Sequence, residues 1–215
     1  METLKEKRVR ETVDFFRKLN LKGAVFIGIS GSVSYEPMEG DDVDIFLITE
    51  DFRLWTTVLA TLVFRRIMRF NDLCLSLCMD TTFAVDLFSN MEEGIAAKDS
   101  TMVIPIKGGE YFRSLLAQSD TIRKKLRTVE VKGPAEKLIR KASPSLVELI
   151  SFIVVSSWVN VKSLIISRRD MKVGQGGFRT IFSFHKFYYD TDKYREINEK
   201  YMKEVINFEK NSDNI

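Results

Sequence analysis

The sequence predicts an α+β protein in which a mixed α and β layer over residues 1–108 is followed by an all-helical C-terminal domain over residues 109–215. Two observations lead there. Short apolar runs bounded by turn residues alternate with charged, helix-like stripes through the first hundred residues, and after "PIKGGE" at residues 105–110 the pattern becomes mostly helical. Bulk composition agrees. With 45% hydrophobic and 29% charged residues the chain is globular rather than disordered, and 215 residues suffice for one large domain or two of roughly 100 residues each.

Taken in order, Leu4, Val9, Val13, Phe15, Phe16 and Leu19 form an imperfect helical stripe in a charged segment, so residues 3–20 are expected to be a surface helix. "GAVFIGIS" reads as a buried strand over residues 24–29, bounded by Gly23 and Gly31, and "VDIFLIT" as a second. Asp51 is expected to cap the next helix, "FRLWTTVLATLVFRRIMRF", which stops at its arginines and the Asn71-Asp72 turn. Two more strands follow at residues 73–79 and 83–88, parted by the turn signal "DTT". Beyond Gly109, helices are expected at 111–127, 135–141, 146–166 and about 191–210, joined by "VKGP", "SPS" and "KVGQGGFR".

Several function classes are excluded early. A net charge of +3 permits an anionic ligand but is not the basic excess of a protein that coats nucleic acid. Cys74 and Cys78, four positions apart in an extended segment, would share a face about 13 Å apart, too far to bridge. They read as reduced core thiols of a cytoplasmic protein. One histidine, His185, argues against a zinc site or a catalytic triad, and is expected to serve packing or hydrogen bonding. The N-terminus has mixed charges and no apolar h-region, so it does not read as a secretory signal. The apolar stretch at residues 146–167 is interrupted by Glu148, Asn160 and Lys162, and reads as a buried helix rather than a membrane span.

The chemistry concentrates in "GISGSVSYEPMEGDDVDIFLITE". Asp42 and Asp44, two apart in an extended segment, point the same way, and two carboxylates held side by side repel one another unless a divalent cation lies between them. Hard oxygen donors suit Mg2+ or Mn2+. Upstream, Gly31-Ser32 ends the preceding strand where a glycine lets backbone approach a ligand. A short helical turn from Ser32 would aim its N–H groups at a phosphate. Asp86, alone in the apolar "FAVDLF" strand, is the expected third carboxylate, and Asp80 at the turn is a poorer candidate. Metal and phosphate cradle at adjoining strand ends are the equipment of phosphoryl or nucleotidyl transfer.

The "SGS" at residues 30–32, the spacer at 33–41 and the "DVDI" at 42–45 resemble the signature of the nucleotidyltransferase superfamily of the DNA polymerase beta type, with Ser30 standing where an apolar residue is usual. The match covers roughly residues 24–90. Past them the chain faintly resembles small stand-alone archaeal and minimal nucleotidyltransferases. The resemblance implies a small mixed sheet with helices on one side, two metal ions on Asp42, Asp44 and Asp86, and Gly31 and Ser32 holding the phosphates. It also implies that Asp86 helps activate the attacking hydroxyl.

Three basic or aromatic features have both plain and functional readings. The run from Arg123 to Lys141 reads as a solvated helix face, or as a grip on triphosphate or RNA. Lys162, isolated in an apolar helix, either meets an anion such as the nucleotide or snorkels to the helix edge. The aromatics around His185 form a core or domain contact, or stack a base. The expected activity is Mg2+-dependent transfer of a nucleoside monophosphate from an NTP, ATP as the expected donor, to an acceptor hydroxyl on a small molecule, protein or RNA, without membrane involvement. The alternatives are a non-catalytic, nucleotide-binding regulatory or antitoxin-like partner protein of the same fold, and a tRNA-modifying type of RNA-binding enzyme.

Overall fold

The computed structural model describes residues 2–89, 102–118, 143–173 and 178–191. Its elements run α1 (Leu4–Leu19), β1 (Ala24–Ser30), a 3-10 turn (Ser32–Ser34), β2 (Val43–Thr49), α2 (Leu54–Ile67), β3 (Leu73–Asp80), α3 (Thr81–Ser89), β4 (Ile104–Lys107), α4 (Gly109–Leu116), α5 (Leu146–Val173), β5 (Phe178–Ser183) and β6 (Lys186–Thr191). One six-stranded mixed sheet has the order β4-β1-β2-β3-β6-β5. Only β2 and β3, joined by the α2 crossover, are parallel; every other pair is antiparallel.

Local chemistry explains where α1 starts and stops. Thr3 Oγ1 accepts from the Glu6 N–H at 3.2 Å while Glu6 Oε2 accepts from the Thr3 N–H at 2.8 Å, a capping box, and Asn20 closes the other end in the left-handed region. Burial on both faces explains why β2 is an unbroken apolar run from Ile45 to Ile48. Val43, Ile45 and Leu47 point into one cluster with Phe15, Trp55, Val58 and Val155. Phe46 and Ile48 point the opposite way, among Phe88, Phe112 and Leu115. Helices therefore cover both faces, α1, α2 and α5 on one side and α3 and α4 on the other, which corrects the expectation of helices on one side only.

Residues 83–88 are not a strand. Thr81, Ala84 and Phe88 are the buried positions, a helical spacing, and they lie on α3. Two carboxylates fix its N-terminus. Asp80 Oδ1 accepts from the Phe83 N–H at 3.0 Å, and Asp51 accepts from the Thr82 N–H at 3.0 Å and from the Thr81 and Thr82 hydroxyls at 2.8 and 2.6 Å. "DTT" is thus a cap rather than a hairpin turn, and Asp51 caps α3 rather than α2.

The N-terminus of α2 is instead held from α5. Buried Glu148 accepts from the Trp55 and Thr56 N–H groups at 2.7 and 2.9 Å and from the Thr56 hydroxyl at 2.5 Å. A buried carboxylate needs such donors, and the free N–H groups of a helix start need an acceptor.

The C-terminal half is not all helical. β5 and β6 extend the sheet from β3, so one sheet spans the expected boundary near residue 108. The aromatics of this hairpin are a core contact. Phe182 and Phe187 meet the Trp55 ring at 6.4 and 6.1 Å, and Trp55 Nε1 donates to the Phe184 carbonyl at 2.9 Å. The helix expected at 135–141 lies outside the described residues, as does the one expected at about 191–210 beyond Thr191, the last residue of β6. Among the described residues, no helix is long and apolar enough to cross a membrane.

Gly108 joins β4 to α4 at φ +69°, where a Cβ would overlap the Val25 carbonyl, so no other residue fits. In β3, an irregularity leaves Ser76 between the partners of Ile45 and Phe46. The alternation is thereby shifted, and Cys78 packs with Leu73 and Leu75 instead of sharing a face with Cys74. Neither thiol is in a disulfide, and burial raises the pKa of Cys78.

The sole histidine sits between β5 and β6, with Nδ1 against Asp80 Oδ2, while the Asp80 N–H donates to the His185 carbonyl at 3.0 Å. Burial raises the Asp80 pKa, more than the Phe83 N–H and His185 lower it. A carboxyl whose folded pKa is raised binds its proton more tightly folded than unfolded. Stability therefore falls as pH rises from the ordinary aspartate pKa through the raised folded value. Asp80→Asn, which keeps an acceptor for Phe83, is expected to flatten the stability curve in that window, measured by urea unfolding across pH.

Candidate functional site

The Gly31-Ser32 turn and the acid-bearing start of β2 are built against each other. β1 and β2 are antiparallel, and the Ser30 position pairs with Asp44. The chain then turns at Gly31, with φ +65° and ψ −156°, a backbone conformation open only to glycine. A Cβ on Gly31 would collide with the Asp44 carboxylate, so backbone and acid are in direct contact. The short helical turn expected from Ser32 is present. The Gly31 carbonyl accepts from the Ser34 N–H at 3.0 Å and from its hydroxyl at 2.7 Å, and the Tyr35 N–H donates to the Ser32 carbonyl at 3.0 Å.

Lys5, which sequence reasoning missed, pins this turn from α1. Its Nζ donates to the Ser34 carbonyl at 2.8 Å and to the Tyr35 carbonyl at 3.2 Å. A surface-helix lysine carries no signal of such a role in the sequence. Asp41 serves the loop: its carboxylate accepts from the Met38 N–H at 2.9 Å. Asp42 is exposed and Asp44 half-buried, at the position where β2 begins. Val43 between them is fully buried, and its N–H donates to the Asp72 carbonyl at 2.7 Å, tying the start of β2 to the start of β3.

Gly31, Ser32, Asp42 and Asp44 are thus brought to one end of the sheet, and Asp86 is not delivered there as the strand-borne third acid. It lies on α3 as an exposed residue. Among the described residues, no group of three His, Cys, Asp or Glu side chains gathers that could hold a metal ion. The strand beside Asp44 explains the shortfall: its β3 partner is Cys74, and the next hydrophilic residue, Ser76, donates to the Ile45 carbonyl at 3.2 Å. Asp80 is no substitute. It pairs with Thr49, five positions beyond Asp44 and roughly 17 Å away along the strand. Lys162 lies on α5 with its side chain outside the described residues, and the basic run from Arg123 to Lys141 is outside the described residues altogether.

The donor set can be matched to a cation on chemical grounds. Two carboxylates suffice for Mg2+, which keeps several waters and is commonly held by one or two carboxylates together with substrate phosphates. They fall short of a three-acid, two-metal centre. Gly31→Ala, which adds both the forbidden φ and the collision with Asp44, is expected to cost about 2 kcal/mol of stability and to displace the carboxylate. The check is a urea melt beside the wild type. No family model matches the chain, and no curated protein or solved structure is significantly similar to it.

Proposed function

We propose that this chain is a Mg2+-dependent nucleotidyltransferase that moves a nucleoside monophosphate from an NTP to an acceptor hydroxyl. The observation that carries the reading is the contact of the Gly31 backbone with the Asp44 carboxylate, because it joins the two halves of the "SGS" and "DVDI" signature into one place. The connectivity is compatible with the small mixed sheet that the resemblance implies, with a helix, strand, glycine turn, antiparallel acid-bearing strand, crossover helix and parallel third strand in succession. Asp42 and Asp44 would hold Mg2+, which when bound neutralises triphosphate charge. The Gly31 turn would set the β- and γ-phosphates beside the acids, Ser32 would offer them its hydroxyl, and Lys5 keeps the turn in shape.

A second reading has its own support: a nucleotide-binding partner protein that performs no transfer. The described residues supply two of the three acids the catalytic resemblance implies, and none to activate the hydroxyl. One experiment separates the two. The protein is incubated with each NTP, Mg2+ and cell extract, and both pyrophosphate release and transfer of α-phosphate label are followed, with calorimetric NTP binding measured in parallel. Transfer that requires Mg2+ supports the enzyme; Mg2+-dependent binding without pyrophosphate supports the partner; the absence of both removes the nucleotide site.

A further inference from the structure

Helix α1 buries Thr12, Phe15 and Phe16, and the same stripe carried back toward the N-terminus, at spacings of four and then three, meets Arg8 and Lys5. Both cations are half-buried, whereas Lys7 and Arg10, off the stripe, are exposed. A cation on the inward side of a helix needs an acceptor there, and these two find theirs far along the chain. Lys5 Nζ donates to the Ser34 and Tyr35 carbonyls, 29 and 30 residues on, and Arg8 Nη1 pairs with the Asp72 carboxylate at 2.6 Å, 64 residues on. Arg10 and Arg17 instead pair with Glu2 and Asp14, close by in sequence.

The two attachment points flank the acid-bearing start of β2. Ser34 and Tyr35 belong to the turn that begins at Gly31, whose backbone lies against the Asp44 carboxylate. The Asp72 carbonyl accepts from the Val43 N–H, between Asp42 and Asp44. One turn of α1 thus fastens both the glycine turn and the strand start that bears the acids. The Asp72 side chain is 53% exposed, and an ion pair with a partner so open to water adds little to stability. What it fixes is geometry. We propose that Lys5 and Arg8 are positioning residues for a divalent cation held by Asp42 and Asp44: without touching the ion, they set where the 31–35 turn stands relative to the two carboxylates. The proposal rests on the reading of these acids as cation ligands, and goes beyond it by assigning their alignment to α1.

The test is titration of the full chain with Mn2+, the spectroscopic substitute for Mg2+, followed by electron paramagnetic resonance. The wild type is compared with Lys5→Met, Lys5→Arg, Arg8→Met, Arg10→Met and Asp44→Asn, each also melted in urea. Lys5→Met and Arg8→Met are each expected to weaken Mn2+ binding about tenfold, the usual effect of removing a group that orients a metal ligand. Lys5→Arg, which can still donate to two carbonyls, is expected to restore most of the affinity, and Arg10→Met, an exposed change of the same charge, to leave it at the wild-type value. Should one methionine variant fail to fold, the other decides. Binding that falls in Asp44→Asn but in neither methionine variant would overturn the proposal and leave the acids as ligands. An equal loss in Arg10→Met would overturn it too, since net charge and not position would then be acting. A wild type that binds no Mn2+ would overturn both the proposal and the cation reading beneath it.

Discussion

Replacing Asp44 with asparagine is expected to lower the proposed nucleotidyl transfer roughly a thousandfold, the consequence of withdrawing several kcal/mol of metal-mediated charge stabilisation. The substitution keeps shape and volume beside Gly31, so the melting temperature should stay within about 2 °C of wild type, the effect of well under 1 kcal/mol in a chain of this size. This pairing of outcomes is diagnostic. Undiminished pyrophosphate release by a folded Asp44→Asn protein removes Asp44 from any metal site, and with it the reading that joins the glycine turn to β2. Asp86→Asn supplies the contrast: it is expected to leave the rate within about twofold, because no third carboxylate gathers with the two acids among the described residues and Asp86 lies on α3.

Glu148→Ala is expected to be the most destabilising single change, at about 3 kcal/mol, since it strips three hydrogen bonds from the start of α2 and leaves the buried Trp55 N–H and the half-buried Thr56 N–H without this acceptor. For a chain of this length that corresponds to a fall of about 6–12 °C in melting temperature. Glu148→Gln should recover part of the loss, because its carbonyl oxygen still accepts one or two of these bonds. Equal losses in the two variants would mean that the carboxylate's charge, rather than its acceptor capacity, holds α2.

Both expectations concern residues whose importance was visible to very different degrees beforehand. Asp44 stands out in the sequence because a carboxylate inside an apolar strand conflicts with burial, and conflict is local information. Glu148 looked like an interruption of an apolar stretch, evidence against a membrane span and nothing more. Its partners are 92 and 93 residues away, and no spacing rule reaches that far. Asp51 shows the same blindness in reverse: a carboxylate placed just before one helix is expected to cap it, yet it caps α3 through Thr81 and Thr82, 30 and 31 residues on.

The strand-to-helix change at 83–88 has a similar origin. "FAVDLF" is apolar on nearly every residue, and a continuous short run does not distinguish a doubly buried strand from a helix packed against a sheet. The Asp-Thr-Thr before it, with Asp80 three residues ahead of Phe83, held the helix-start signal, read as a turn instead. That misreading carried Asp86 into the site. The C-terminal hairpin was hidden for another reason, since the aromatic run at 182–189 acquires strand character only by pairing with β3.

Local periodicity and steric exclusion were enough to establish α1, β1, β2, α2 and β3, together with the glycine turn leading into the acidic strand, because each depends on neighbours a few bonds away. Which carboxylates converge, which helix each acid caps, and that helices cover both faces of a six-stranded sheet were decided by tertiary packing. Burial pairs residues by proximity in space, and a buried charge goes wherever unfilled hydrogen-bond donors are, however distant in the chain.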